Sequence, residues 1–192
     1  MDSEPARTDR DDDSAIDSAS SPVKVKIQFT DDERRDVHKA LSALIGMPLS
    51  DMIRYCGWQR FEFGEQIPAK NKRGEDVTIS DWAISLNCPW RIEGPDGFSL
   101  TSEDFEPERH DDHAEAFYDR FESDPISVES VSVESNGALT FFFSEGFVLN
   151  AKPANELEPE FEEWWFFPPE SGAVPSFSLG YEGLWRSSQA IS

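Results

Sequence analysis

The run Arg109-His110-Asp111-Asp112-His113 brings four metal-ligand side chains together. Two imidazoles three positions apart can share one face of a helix, and the carboxylates between them add oxygen donors. A metal centre takes three or four converging ligands, and the third histidine, His38, is distant in sequence. A metal-binding module or metal-dependent enzyme using His110, Asp111 and His113 is thus one reading. A solvated acidic loop is the other, and it is favoured because two imidazoles fall short of a ligand set. No cofactor is expected.

Nucleophilic chemistry has less support. The sequence contains no G-x-S-x-G elbow and no glycine-rich phosphate loop. Cys56 and Cys88 make no disulfide framework. Cys88 lies in a stretch whose apolar residues alternate, which puts it on a buried face where a thiol is unreactive. Carboxylates are so abundant that no particular pair marks an acid–base site.

A different candidate is the segment 156–170, "ELEPEFEEWWFFPPE", in which six acids surround Trp164-Trp165-Phe166-Phe167. Four consecutive large aromatics cannot all face one way in a strand, because side chains alternate. Either both faces are covered or part of the run is exposed. Exposed tryptophan rimmed by glutamate has the chemistry of a protein-binding hot spot.

Charge points the same way. The 192 residues carry a formal net charge of −22, and the charge is unevenly placed. Residues 1–22 hold seven acids and two arginines, and residues 23–102 hold twelve acids and eleven bases. Residues 103–192 hold twenty acids and four bases. Solubility or adaptation to salt would spread acids over the whole surface. The asymmetry instead predicts one strongly negative face, which repels nucleic acid and complements a basic protein.

The elements that must position these groups are legible as periodicities. Val23, Val25, Ile27 and Phe29 alternate with polar residues, as in a half-buried strand. Thr30-Asp31-Asp32-Glu33 is a capping box, opening a helix with Val37, Ala40, Leu41, Leu44 and Ile45 on its apolar stripe and Gly46 and Pro48 at its end. "MIRYCGWQRFEF" at 52–63 reads as one strand with a bulge near Gly57, and 69–76 as a polar loop carrying Lys70, Lys72 and Arg73. Trp82, Ile84, Leu86, Cys88, Trp90 and Ile92 alternate without interruption, predicting a strand whose Pro89 implies an edge or bulge. Gly94-Pro95-Asp96-Gly97 then turns the chain.

Residues 113–121 have the spacing of a short helix. Farther on, a loop of Ser135-Asn136-Gly137 places Val133 opposite Leu139 and Val131 opposite Phe141, so that all four share an apolar face. Gly137 then needs a positive φ. Phe147 and Leu149 continue the meander, and Phe177, Leu179 and Tyr181 form a last strand.

Three blocks taken together, "GMPLSDMIRYCGWQRFEFGE" at 46–65, "ISLNCPWRIEGPDG" at 84–97 and "EEWWFF" at 162–167, resemble a family of small acidic bacterial proteins of unassigned activity. The resemblance spans roughly residues 40–180. It implies a general character similar to the immunity proteins of bacterial toxin systems, small α+β inhibitors that bind a toxin.

The expected architecture is α+β: an antiparallel, meander-rich sheet packed with one or two helices. Residues 1–22 form an acidic tail with the composition of a disordered segment, 23–185 a single domain, and 186–192 a C-terminal tail. No apolar run is long enough for a membrane helix, and the acidic N-terminus is no secretory signal, so a cytoplasmic protein is expected. The expected role is non-catalytic binding of a basic partner. Asp111, Asp112 and Glu115 would steer it, and Glu162, Glu163 and Trp165 would make contact.

Overall fold

A computed structural model describes residues 25–55, 57–70, 73–105, 124–154, 156–157, 162–169 and 174–187. Helix α1 spans Asp31–Leu41, and its capping box forms as the residue types require. The Thr30 hydroxyl accepts the Glu33 amide at 3.2 Å, and the Glu33 carboxylate accepts the Thr30 amide at 2.8 Å. These bonds favour the ionised acid and hold the Glu33 carboxyl below its ordinary pKa. Val37, Ala40 and Leu41 are buried, whereas His38 is exposed. A 3-10 turn over Ser42–Leu44 ends the helix in extended backbone at Ile45. Ile45 thereby leaves the apolar stripe and is 48% exposed.

The first strands are β1 (Val25–Lys26), β2 (Leu49–Tyr55), β3 (Trp58–Lys70), β4 (Asp76–Leu86), β5 (Trp90–Glu93) and β6 (Ser99–Thr101). They are followed by β7 (Val128–Val133), β8 (Leu139–Phe143), β9 (Val148–Ala151), β10 (Glu156–Leu157), β11 (Glu162–Phe167), β12 (Ser176–Gly180) and β13 (Gly183–Ser187). They form two main sheets, ordered β13-β12-β11-β4-β3-β2 and β6-β5-β9-β8-β7, and a small β1-β10 ladder. All pairings are antiparallel. The α+β expectation holds in its coarse form, with mostly antiparallel sheet and one α-helix among the described residues. The sheet structure is larger than the one meander-rich sheet expected.

The inner faces of both sheets and the apolar side of α1 contribute to one core. Phe63 stacks on Phe141 across the sheets at 6.1 Å, and Phe61 meets Trp90 edge-on at 5.3 Å. Phe61, Phe63, Phe141, Phe143, Phe147, Phe166 and Phe177 are all at most 1% exposed, each contributing roughly 1.5–3 kcal/mol by leaving water.

The β7–β8 hairpin has the expected register, Val133 opposite Leu139 and Val131 opposite Phe141, with Gly137 at φ 80°. Three expectations are corrected. Residues 52–63 are not one bulged strand: Tyr55 pairs with Trp58, so Gly57, at φ 88°, belongs to a tight hairpin turn. The alternating stretch 82–92 is two strands in different sheets, broken at Asn87–Pro89. The Asn87 and Cys88 amides both donate to the Glu163 carbonyl, at 2.8 and 3.1 Å, and Pro89 has no amide to continue the ladder. The chain crosses over there while its in–out alternation survives, with Cys88 and Trp90 buried and Pro89 and Arg91 exposed. Finally, the expected last strand of Phe177, Leu179 and Tyr181 ends at Gly180 and is followed by another, with Tyr181 in the turn that leads to β13.

Candidate functional site

The aromatic run 164–167 forms the body of β11, between β4 and β12. Strand alternation divides it between two environments. Trp164 and Phe166 face the core and are 0% and 1% exposed, and the Trp164 indole N–H donates to the Gly137 carbonyl at 2.9 Å. Trp165 and Phe167 lie on the opposite, outer face and are partly exposed. Their rings stack at 4.8 Å. The run is therefore both core and surface, as four consecutive aromatics in a strand must be.

The outer face places unrelated parts of the sequence in one row. Arg60 on β3 pairs with Ser85 on β4, Ser85 with Trp165 on β11, Trp165 with Ser178 on β12, and Ser178 with Trp185 on β13. The serines are nearly buried, at 9% and 4% exposure, while Trp185 is 53% exposed. Two indoles thus stand either side of a serine floor. At the other end, the Arg60 guanidinium lies 5.2 Å from the Phe167 ring centre and donates to Glu62 at 2.8 Å. Glu62 is buried with both oxygens engaged, the second accepting the Ser80 amide at 3.0 Å. A buried carboxylate persists only when paired in this way. The Trp165 indole nitrogen is buried and has no hydrogen-bond partner among the described residues.

Of the expected contact residues, Trp165 and Glu162 are partly exposed, while Glu163 is 8% exposed and tied into the chain. Its carboxylate accepts the Ala154 amide at 3.3 Å, and its carbonyl takes the two amides at the sheet crossover. Burial pushes the Glu163 carboxyl above its ordinary pKa. The nearby Cys88 thiol is raised well above its ordinary range, by burial first and by the Glu163 charge second, so it carries no thiolate nucleophile at neutral pH. His110, Asp111, Asp112, His113 and Glu115 lie outside the described residues. Among the described residues, no group of three or more metal-ligand side chains is placed to hold an ion. No helix among them is long and apolar enough to cross a membrane.

Sequence reasoning missed Arg60, Ser178 and Trp185. A signal for Trp185 exists in Gly180-Tyr181-Glu182-Gly183, a two-residue hairpin loop between glycines, after which Gly183, Trp185 and Ser187 alternate on one face. The row itself has no local signature, because its members come from five strands.

The chain matches no family model, no curated protein and no solved structure.

Proposed function

We propose that this is a non-catalytic protein-interaction protein that binds a basic partner through an acidic surface. The observation that carries this reading is the fivefold excess of acids over bases in residues 103–192. Several of these acids are unneutralised surface charges: Glu129, Glu134 and Glu182 are exposed and make no ion pair among the described residues. Such a surface steers a cationic protein into encounter, and it suppresses binding of polyanions. Asp111, Asp112 and Glu115 extend the acidic sequence, Glu162 adds a partly exposed carboxylate, and Trp165 adds an aromatic group at the outer face. The immunity-type form of this reading, inhibition of a basic toxin, is supported by the resemblance of the three sequence blocks.

The test is retention of a host protein by the immobilised chain at low salt, followed by elution with rising salt. A Glu129→Lys, Glu134→Lys double variant and a His110→Ala, His113→Ala double variant are run alongside. One basic protein, released at moderate salt from the wild type and the histidine variant and lost from the charge-reversed one, is the expected result. Retention that is indifferent to salt and to charge reversal, or that needs both histidines, overturns the reading.

A further inference from the structure

We infer that the Trp165–Trp185 face is an arginine-binding platform, on which a guanidinium from the basic partner stacks against the exposed Trp185 indole. This inference rests on the acidic-surface reading above. Trp185 is the most exposed of the large apolar residues on the described surface, at 53%. It stands on the outer face of β13, two strands from Trp165, with the nearly buried Ser178 between them. Adjacent strands are roughly 4.8 Å apart, so the two tryptophan backbones are separated by about 10 Å. Ser178 is 4% exposed, so Trp185 supplies most of the exposed surface at this end of the row.

Charge selects a cation for that position. Glu182 is exposed in the turn opening β13, three residues before Trp185. The chain as a whole is at −22. Arg60, on this face, is committed to Glu62 and the Phe167 ring, and Arg186, beside Trp185 in sequence but on the core side of β13, is committed to Asp36 at 2.9 Å and to the Phe177 ring at 5.7 Å. Both show a guanidinium lying over an aromatic ring of this sheet with a carboxylate as its hydrogen-bond partner. Trp185 has the ring, with Glu182 in the adjoining turn, and no such cation among the described residues. A planar guanidinium suits this arrangement better than an ammonium, because it stacks on an indole while its edge still donates to carboxylates.

The experiment uses the full chain and two defined probes, deca-arginine and deca-lysine, titrated calorimetrically at low salt. The wild type, Trp185→Ala, Trp185→Phe and Glu129→Lys, Glu134→Lys proteins are compared. Deca-arginine is expected to bind the wild type more tightly than deca-lysine. Trp185→Ala should weaken deca-arginine roughly two- to fivefold, as expected for one exposed cation–π contact, and leave deca-lysine nearly unchanged. Trp185→Phe should recover part of the loss, and the charge-reversed protein should weaken both probes alike. Equal binding of the two probes, with no effect of Trp185→Ala, overturns the platform and leaves the acidic-surface reading standing. Failure of both probes to bind the wild type overturns the acidic-surface reading and the platform with it.

Discussion

The indole N–H of Trp164 donates to the carbonyl of Gly137 at 2.9 Å, joining the centre of the six-stranded sheet to the hairpin turn of the five-stranded one. Both residues are buried, so the bond satisfies two polar groups that burial would otherwise leave unpaired. Gly137 also closes the β7–β8 turn, its own amide donating to Glu134 at 3.0 Å. A glycine that first reads as turn chemistry is therefore a contact between sheets.

Gly137→Ala should destabilise the fold by roughly 2–4 kcal/mol, combining left-handed backbone strain with overpacking. A β-carbon there would lie 2.5 Å from Leu179 Cδ2. Gly183→Ala separates the two effects, since Gly183 has φ 97° and, among the described residues, nothing within 4 Å of its β-carbon position. Denaturant unfolding should show the larger loss for Gly137→Ala. Equal losses would mean that the Leu179 contact relaxes without cost.

Glu163 makes stability depend on pH. Its carboxyl pKa is raised in the folded protein, chiefly by burial. The folded state therefore holds this proton more tightly than the unfolded chain does. The associated stabilisation is fully present below the ordinary carboxylate range and is lost as pH rises through the raised value. Glu163→Gln keeps an acceptor for the Ala154 amide and removes the charge. It should melt higher than the wild type near neutral pH, with the gain shrinking as pH falls into the ordinary carboxylate range. A gain independent of pH, or a loss at neutral pH, would contradict the burial argument.

Cys88 should resist thiol reagents in the folded protein. It is 3% exposed, and both burial and the Glu163 charge disfavour its thiolate. Mass-spectrometric mapping after alkylation should find Cys88 unmodified under native conditions and modified once denaturant is added. Rapid native labelling of Cys88 would show that the sheet crossover opens readily.

Local chemistry made much of the fold legible. The capping box of α1 needs only Thr30 and Glu33. The β7–β8 register follows from putting four apolar residues on one face. Alternation also assigned Cys88 and Trp90 inward and Arg91 outward, even though the strand they seemed to share is divided between two sheets. That break was less visible because a crossover at Asn87–Pro89 leaves the in–out rhythm intact, and because its anchor, the Glu163 carbonyl, is far away in sequence.

The candidate surface divides in the same way. Period-two geometry required that Trp164 and Trp165 part company, one inward and one outward, and composition alone established the acidic imbalance. Which distant residues stand beside Trp165 was decided by strand order. Arg60, Ser85, Ser178 and Trp185 come from four other strands and meet in one row only because β13, β12, β11, β4 and β3 are neighbours in the sheet. Periodicity sets the face of each side chain, whereas long-range pairing sets its neighbours, and the packing of both sheets around one core selects that pairing.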